Sequence, residues 1–536
     1  MLSLRTWGRL GAGLARQPGT LVRRSADLAA ELVAIGLGTA TRAPSGRDRR
    51  FTDPGWSQNP WLRRVLQAYL ASAETLQSLA ADVDLEWRDR EKVDFAVDNV
   101  LDLLAPSNMP LISPAFWRAV IDTGGGNVVS GVRNLVEDLA TAPRVPRMVE
   151  RGAFAVGESL AATPGAVVLR TEVFELIQYA PRTEQVRQVP LLMVPPVINK
   201  YYVVDLAPGR SMVEHYLEQG HQVFAISWRN PDARHREWDF DTYGQAILDA
   251  LDATTRVTGA DRTHVMSICS GGMLTVMTLA HLARLGRLDR IASLGLAVSV
   301  IDNSKAGTTM ALADERVARA AVAKSQAKGY LDGRALAEVF AWLRPNDLIW
   351  SYWVNNYLQG RKPAAFDVLY WNADTTRMAA GLHRDFVTVA LGNSLTVPGA
   401  ATMLGSPVDL REVTVPTYVV AGIADHISPW QSCYRTTRLL GGEVRFVLSS
   451  SGHVASMVNP PGNPKASFHV TPEQGDHPAD PEQWLATADP RQGSWWPDHA
   501  AFLAERGGDL VDAPGALGGG GLYPLAPAPG SYVRDT

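Results

Sequence analysis

The chain has 536 residues, of which 46% are hydrophobic and 20% charged, and its formal net charge is −4. These values are ordinary for a globular protein, the length allows two or more domains, and the charge argues neither for a nucleic-acid partner nor for an acidic one. The two cysteines, Cys269 and Cys433, are too few for a disulfide scaffold or a cysteine-based zinc site, so they indicate a reducing compartment. No apolar run approaches the roughly 18 residues that a membrane span needs.

The first 50 residues form a basic segment, with nine arginines against three acidic residues and leucines between them. A signal or transit peptide is one interpretation, but the apolar run at 28–37 is late and contains Glu31. The pattern favours a basic amphipathic segment that rests on an anionic or apolar surface. A disordered tail remains an equal alternative.

Residues 51–165 are predicted to form a helical N-terminal domain. Apolar residues recur at helical spacing in 61–70, 95–104 and 134–140, and the second run stops at Pro106. No strand pattern and no chemistry-bearing cluster interrupts these helices. The region is therefore expected to serve assembly or docking.

Residues 166–536 are predicted to form an α/β catalytic domain, because strands begin to alternate with helices near residue 171. Buried strands are predicted at 190–194, 223–227, 263–268, 292–301, 417–421 and 444–448. An interval of more than 100 residues separates the predicted strand at 292–301 from the one at 417–421. This interval, about 303–410, is helical and rich in aromatic residues, which favours a cap that excludes water from the site. An ordinary packing subdomain is the alternative.

The stretch 263–286 combines a buried strand, a tight turn and an amphipathic helix, with Cys269 at the turn. This is the arrangement of a nucleophile elbow, usually written G-x-S-x-G, which holds the nucleophile in a strained conformation above the sheet. Here the pattern is S-x-C-x-G, with Ser267 at the first glycine position. A buried structural cysteine is the alternative interpretation.

An acid and a histidine follow in the chain order typical of this fold. Asp425 comes just after the strand at 417–421, and His453 lies on a glycine-containing loop after the strand at 444–448. His453 would take the proton of the Cys269 thiol, and Asp425 would hold the imidazole in the productive tautomer. The backbone N–H groups of Ser270 and Val197 are predicted to form the oxyanion hole.

Other assignments remain open. Asp302 follows the strand at 292–301 and is an alternative acid, and His426 is an alternative base. His264 begins a strand and is expected to be structural, and Cys433 is expected to pack in a helix. No cluster has metal-ligand spacing, and no glycine-rich phosphate loop is present.

With these residues identified, the chain from about Phe51 to its C-terminus resembles the single-subunit polyhydroxyalkanoate synthases, which are bacterial polyester polymerases. Several further motifs carry the resemblance in the same order. They are PPVINKYY at 195–202, SWRNP at 227–231, LRPNDLIW at 343–350, NNY at 355–357, YWNADTT at 370–376, DHI at 425–427, PW at 429–430, SGH at 451–453, NPP at 459–461, SWWP at 494–497 and APGSYV at 528–533.

The resemblance implies an α/β-hydrolase fold and a polymerase of (R)-3-hydroxyacyl-coenzyme A thioesters that releases coenzyme A. Cys269 would carry the acyl group, with His453 as the base. Asp425 would act as the partner of His453 or as the activator of the 3-hydroxyl, and the resemblance leaves this choice open. Arg384 is a candidate contact for the coenzyme A phosphates, and His426 is a further candidate in substrate binding.

The resemblance also implies no cofactor, since coenzyme A is part of the substrate. It implies a cytoplasmic enzyme associated with polyester granules, a homodimer, and a helical N-terminal region that helps dimerisation and granule attachment. Composition alone predicts a flexible glycine- and proline-rich tail after residue 507, whereas the resemblance predicts that this tail packs on the catalytic domain. Ser267 departs from the family's glycine and is expected to tighten the elbow.

Two other functions compete with polymerisation. A depolymerase or thioesterase of the same fold would use the same residues and pass the acyl group to water. A granule-surface protein without catalysis is the third possibility, and the set of Cys269, Asp425 and His453 speaks against it.

Overall fold

The structure, a computed structural model, describes residues 4–46, 48–140, 142–150, 152–308, 314–472 and 476–536. Parts of the predicted basic segment (1–3 and 47), of the helical domain (141 and 151), of the cap (309–313) and of the catalytic domain (473–475) lie outside the described residues. The chain divides into two compact units. The helical unit comprises Met1–Glu150, Thr308–Leu312 and Leu336–Ala365, and the sheet unit comprises Arg151–Gly307, Ala313–Ala335 and Phe366–Thr536.

The helical unit is built from amphipathic helices that begin and end where the sequence supplies caps. Asn59 is an example, because its side-chain oxygen accepts hydrogen bonds from the N–H groups of Trp61 and Leu62, and Pro60 occupies the first helical position. The helices of this part of the chain are Leu4–Ala15, Pro18–Leu37, Gly55–Gln58, Pro60–Ala81, Trp87–Leu103, Pro114–Thr123 and Gly126–Ala140. The helices predicted within 51–165 are therefore present, each longer than its apolar run.

Several arginines of the basic N-terminal segment pair with acidic residues of the same unit. Arg24 binds Asp82 through two nitrogens, at 2.9 and 3.1 Å. Arg50 binds Asp102 at 2.8 Å, and it also donates to the Tyr69 hydroxyl. These pairs neutralise part of the positive charge locally. Among the described residues, none of the helices has the length and apolar character that crossing a bilayer requires.

The middle of the predicted cap interval belongs to the helical unit. Its π-helical turn Trp353–Leu358 lies against the helix Gly126–Ala140, and the turn Asn346–Trp350 lies against the helix Trp87–Leu103. Asn127 donates a side-chain hydrogen bond to the Leu358 carbonyl at 2.8 Å. A Cβ at Gly131 would lie 1.9 Å from the Tyr357 carbonyl oxygen, so this close approach requires glycine. The interval 303–410 is thus divided between the two units.

The sheet unit contains an eleven-stranded mixed sheet among its described residues. Its strands are β1 (Gly165–Arg170), β2 (Phe174–Tyr179), β4 (Leu191–Val194), β5 (Val223–Trp228), β6 (Thr263–Ile268), β7 (Ile291–Ala297), β12 (Thr417–Gly422), β13 (Val444–Ser449), β14 (Ser467–Val470), β15 (Asp489–Gln492) and β17 (Ala526–Pro527). Their order in the sheet is β15-β14-β13-β12-β7-β6-β4-β5-β2-β1-β17. The six strands from β13 to β5 in this order are parallel and form the centre, and antiparallel strands extend both edges.

The remaining elements of the sheet unit cover this sheet or connect its strands. Short strand pairs join β3 (Gln185–Arg187) to β16 (Leu510–Asp512), β8 (Tyr330–Leu331) to β9 (Met378–Ala379), and β10 (Thr402–Met403) to β11 (Ser406–Pro407). The α-helices are Met212–Glu218, Phe240–Thr258, Ser270–Arg284, Glu315–Lys328, Asp367–Ala373, Ala380–Gly392, Trp430–Arg435, His453–Met457, Pro481–Thr487 and Trp496–Ala504, and Gly333–Leu343 runs from this unit into the helical one.

All six predicted strands are present, and they are the six parallel ones, although the strand predicted at 292–301 ends at Ala297. Each reads as a short, largely apolar run because nearly all of its residues are buried. The antiparallel strands were not predicted, although β2 is buried along its length, with Glu175 and Gln178 interrupting its apolar residues. β15, by contrast, has the sequence DPRQ and is exposed along its length.

The C-terminal tail is packed, so the flexibility predicted from its composition is wrong and the packing implied by the resemblance is confirmed. β17 pairs antiparallel with β1 at the edge of the sheet. Beyond it, the fully buried carboxylate of Glu175 accepts hydrogen bonds from the N–H groups of Ser531 and Tyr532 and from the Ser531 hydroxyl, at 2.7–2.9 Å. The Arg229 guanidinium lies 4.3 Å from the centre of the Tyr532 ring.

Candidate active site

Cys269 lies between β6, in the middle of the sheet, and the helix Ser270–Arg284. Its backbone has φ 52° and ψ −119°, a conformation that non-glycine residues avoid and that functional sites retain. The thiol is partly exposed and is not in a disulfide. The predicted nucleophile elbow is therefore present, with its sulfur accessible.

The two glycines after the elbow allow the helix to start close to the neighbouring strands. A Cβ at Gly271 would lie 2.6 Å from the Pro195 carbonyl oxygen, and one at Gly272 would lie 2.1 Å from the Ser299 Oγ. Either side chain would push the helix away from the sheet. The glycines thus fix the distance between the start of this helix and the loop that follows β4.

Ser267, the departure from the usual glycine, is accommodated without an unpaired hydroxyl. It is fully buried, and its Oγ donates to the Thr275 hydroxyl at 2.8 Å. Thr275 lies on the elbow helix itself, so the bond ties the strand before the turn to the helix after it. This contact supports the expectation that Ser267 tightens the elbow.

His453 and Asp425 meet at the carboxyl end of the sheet. The Nδ1 of His453 lies 2.7 Å from the Oδ2 of Asp425. The other carboxylate oxygen accepts the N–H groups of Ile427 and Ser428, each at 2.8 Å. Asp425 is buried, so these bonds hold its carboxylate in one orientation toward the imidazole.

The environment of His453 favours its protonated form. Burial opposes the charge, but the Asp425 carboxylate outweighs it, together with a hydrogen bond and a charge interaction with the Cys269 side chain, so the pKa of His453 rises to about 10. The Cys269 side chain is therefore near enough to His453 to raise the pKa of the imidazole. The structure brings the three predicted catalytic side chains together at one end of the sheet, with a direct bond between His453 and Asp425.

The predicted oxyanion-hole residues also lie beside the elbow. The backbone N–H of Val197 donates to the Oγ of Ser270 at 3.1 Å. The loop that carries Val197 is held from two sides, because the Trp228 indole donates to the Pro195 carbonyl at 3.1 Å and the Trp371 indole donates to the Lys200 carbonyl at 2.7 Å. The sequence analysis predicted roles for the backbone N–H groups of Ser270 and Val197, and it predicted none for the Ser270 hydroxyl.

The alternative acid is occupied elsewhere. Asp302 pairs with Arg435 at 2.9 Å and accepts hydrogen bonds from Ser304 and Asn393. Burial works against its charge, but these donors lower its pKa overall. Its two oxygens are used by this network, whereas the carboxylate of Asp425 is the one that binds a histidine.

The other residues considered from the sequence lie at different positions in the sheet unit. His426 is half-buried beside Asp425, and Arg384 is exposed on the helix Ala380–Gly392, where its Nε donates to Asp385 at 2.8 Å. Their roles in substrate binding stay predictions. His264 is buried against Ser293 at 2.8 Å, and Cys433 is fully buried, as expected for structural residues. No group of three or more possible metal ligands exists among the described residues.

The C-terminus makes contacts with the loop after β4 that the sequence did not predict. Lys200 and Asn230 both donate to the Asp535 carbonyl, and Arg377 donates to the carbonyl of Thr536. The Tyr202 hydroxyl nearby donates to Asp374 at 2.8 Å. Only the motif resemblance, which includes 195–202, 227–231, 370–376 and the nearby 528–533, drew attention to segments of this cluster.

Comparison with known proteins identifies the family. Residues 47–216 match the model of the poly-beta-hydroxybutyrate polymerase (PhaC) N-terminus, and residues 204–460 match that of the alpha/beta hydrolase fold. The chain is 43% identical over 97% of its length to poly(3-hydroxyalkanoate) polymerase 1 of Ectopseudomonas oleovorans, covering 92% of that protein. The chain belongs to the poly(3-hydroxyalkanoate) polymerase family.

Two further members of the family bear this out. Poly(3-hydroxyalkanoate) polymerase 2 of Ectopseudomonas oleovorans is 44% identical over 94% of the chain, which covers 90% of that protein. The poly(3-hydroxyalkanoate) polymerase subunit PhaC of Cupriavidus necator is 39% identical over 95% of the chain, which covers 86% of that protein. The resemblance drawn from the motifs and the predicted α/β-hydrolase fold are both confirmed.

Proposed function

We propose that the chain polymerises (R)-3-hydroxyacyl groups from coenzyme A thioesters into a polyhydroxyalkanoate and releases coenzyme A. One observation carries the catalytic part of the proposal: Cys269 stands on a strained elbow near His453, whose Nδ1 lies 2.7 Å from Asp425. Membership of the poly(3-hydroxyalkanoate) polymerase family supports the reaction class. Coenzyme A enters as part of the substrate, and no separate cofactor is proposed.

The first half-reaction loads the thiol. His453 takes the Cys269 proton, and the thiolate attacks the thioester carbonyl while Asp425 stabilises the imidazolium. The tetrahedral intermediate carries a negative oxygen, which hydrogen bonds beside the elbow stabilise. When the intermediate collapses, the carbon–sulfur bond to coenzyme A breaks and the imidazolium protonates the leaving thiolate. The raised pKa of His453 suits a residue that must hold this proton between the two steps.

The second half-reaction forms the ester. A 3-hydroxyl, from a bound acyl unit or from the end of the polyester chain, attacks an acyl thioester. Its proton goes to His453, or to Asp425 if that carboxylate activates the hydroxyl. The oxygen–carbon bond forms as the sulfur–carbon bond breaks, so each cycle adds one unit and restores a free thiol. Competing water must be kept out for this to outpace hydrolysis.

We propose a cytoplasmic enzyme that works at the surface of its polyester granule and assembles as a homodimer. The helical unit supports the granule attachment, because several large apolar side chains between residues 111 and 139 are exposed. They are Leu111, Trp117, Ile121, Val128, Val129, Val132, Val136 and Leu139. Ile121, for example, is 79% exposed. Such a face is suited to an apolar polyester surface.

Purified protein supplied with (R)-3-hydroxybutyryl- or (R)-3-hydroxyoctanoyl-coenzyme A tests the reaction. We expect insoluble polyester and stoichiometric free coenzyme A. Soluble 3-hydroxy acid without polymer would identify the protein as a thioesterase or depolymerase instead. A panel of acyl lengths in the same assay defines the preferred monomer.

The two cysteines provide a matched pair of variants. Cys269→Ala is expected to abolish coenzyme A release, since no other thiol of the chain lies on the elbow. Cys433→Ala removes the buried thiol and should retain activity within a few-fold. Unchanged thioester cleavage in Cys269→Ala would contradict covalent catalysis by this thiol.

A further inference from the structure

The hydroxyl of Ser270 accepts a hydrogen bond from a group expected to bind the oxyanion. Ser270 is the first residue of the elbow helix, directly after the nucleophile, and its Oγ lies 3.1 Å from the backbone nitrogen of Val197. Val197 is buried, and Ser270 is half-buried. The Val197 N–H is therefore directed at a side chain of the protein and not at open space in front of Cys269.

The hydrogen of the Ser270 hydroxyl has no acceptor among the residues that the structure describes. The other serine of the elbow differs, because Ser267 donates its hydroxyl hydrogen to Thr275. A hydroxyl can donate one hydrogen bond while it accepts another. Ser270 thus keeps an unused donor one residue away from the reactive sulfur.

Accepting the Val197 bond makes this hydroxyl a better donor. Hydrogen bonds in a chain polarise one another, so an O–H whose oxygen already accepts an N–H is a stronger donor. The helix Ser270–Arg284 also directs the positive end of its dipole at the same place. Both effects favour a negative charge near the Ser270 side chain.

The Val197–Ser270 bond is held in place by its surroundings. The Trp228 indole fixes the Pro195 carbonyl, and the lack of a side chain at Gly271 lets the helix approach that same carbonyl closely. The Trp228 bond and this close approach together keep the loop that carries Val197 next to the start of the helix. The bond is therefore a built feature of the site.

We infer that the side-chain hydroxyl of Ser270 is a catalytic oxyanion donor for acyl transfer at Cys269, oriented and polarised by the Val197 N–H. The inference rests on the proposed function. As the sulfur–carbon bond forms, the carbonyl electron pair moves to oxygen, and the Ser270 O–H and N–H donate to it without losing a proton. On collapse the bond to coenzyme A breaks, and the proton for the leaving thiolate comes from His453.

The test compares Ser270→Ala with Ser270→Thr in the full-length protein, in single-turnover release of coenzyme A from (R)-3-hydroxybutyryl-coenzyme A. Loss of one oxyanion donor typically lowers kcat by about 10²–10³-fold. We expect a loss of about 10–100-fold in Ser270→Ala with KM little changed, because the released Val197 N–H compensates in part. Ser270→Thr retains the hydroxyl and should recover most of the rate.

Alkylation of Cys269 by iodoacetamide separates this role from an effect on the thiol. That reaction forms no oxyanion, so its rate should be the same in Ser270→Ala and in the wild type. If Ser270→Ala does not fold, as judged by thermal unfolding, Ser270→Val compared with the equally large Ser270→Thr makes the same comparison.

An acylation rate in Ser270→Ala equal to or above that of the wild type would overturn the inference. The hydroxyl would then only accept the Val197 N–H and would not stabilise the oxyanion. An equal fall in the alkylation rate would overturn it as well. The proposed function fails separately, when the wild type cleaves the thioester but makes no polymer. In that case the effect of Ser270 on thioester cleavage still decides the inference.

Discussion

In the sheet unit, the partly buried His453 and the fully buried His221, His264 and His499 have pKa values that are shifted in opposite directions. At the active site the pKa of His453 rises to about 10. In the core, burial and the proximity of other basic groups lower the pKa of His264 to about 3 and that of His221 to about 4, and they hold the pKa of His499 well below its usual range. All four belong to one compact unit.

The difference lies in the partners of each ring. His453 has the Asp425 carboxylate at 2.7 Å and the Cys269 thiol beside it. The ring of His264 binds a neutral hydroxyl, that of Ser293, and the ring of His499 binds the Tyr216 hydroxyl at 2.5 Å. Burial disfavours the charged imidazole everywhere, so only a nearby anion reverses the shift. One buried carboxylate therefore distinguishes the proposed catalytic histidine from the structural ones.

Replacing the catalytic histidine gives the largest expected effect. In His453→Gln the thiol of Cys269 loses its base, so kcat for coenzyme A release should fall by about 10³–10⁴-fold. The matched core variant, His221→Phe, should keep kcat within about threefold. Similar losses in both variants would mean that the two sets of histidines do not differ in function.

Removing the carboxylate should make His453 resemble the core histidines. In Asp425→Asn the penalty of burial is no longer offset, so the pKa of His453 falls and the imidazolium is lost at lower pH. We expect kcat to fall by about 10²-fold, less than in serine triads because a thiol depends less on its base. Alkylation of Cys269 by iodoacetamide should need a higher pH than in the wild type.

Asp302→Asn is the control for this carboxylate. Asp302 also follows a strand of the parallel core, but it pairs with Arg435 rather than with a histidine. Its replacement should leave both kcat and the alkylation profile within about threefold of the wild type. A stronger effect than that of Asp425→Asn would return Asp302 to the role of catalytic acid.

The core histidines predict how stability depends on pH. Their pKa values are lower in the folded chain than the usual value near 6.5, so the unfolded chain binds more protons as the pH falls. The stability is complete above about pH 6.5 and is lost as the pH falls through about 4. His453 behaves oppositely: its contribution is complete below about pH 6.5 and is lost as the pH rises through about 10.

Urea unfolding at pH 7.5 and pH 5 measures the effect for one core residue. His221→Phe keeps an aromatic ring beside Tyr216, whose ring centre lies 6.1 Å from that of His221. The wild type should lose about 2 kcal/mol more than this variant between the two pH values. Equal losses would show that His221 is already charged, or solvated, in the folded protein.

The smallest effect is expected from Ser293→Ala. The substitution removes the hydroxyl that binds His264 at 2.8 Å, and a buried hydrogen bond of this kind contributes about 1–2 kcal/mol. Thermal unfolding should register that loss, and kcat should not change. A fall in kcat would indicate that the core histidines support the active site after all.

The sequence predicted the parallel core and the catalytic residues because both depend on local patterns. Strands such as β6 and β12 are buried on both faces and read as apolar runs. A residue directly after such a run lies at the carboxyl edge of the sheet, so Cys269, Asp425 and His453 were predicted from their positions alone. An exposed edge strand such as β15 has no such signal, and no local pattern marks the residues of the cap interval, 336–365, that belong to the helical unit.

The sequence by itself determined which side chains are the candidates for the chemistry, since the elbow, the acid loop and the histidine loop each follow a strand that local hydrophobicity defines. Only the tertiary structure decided which partners those side chains bind, and hence their pKa values and orientations. The pairing of His453 with Asp425 and not with Asp302, the bond from Val197 to the Ser270 hydroxyl and the anchoring of the tail on Glu175 join residues between 28 and 357 positions apart. Contacts over such separations depend on the packing of the whole sheet, which no local pattern specifies.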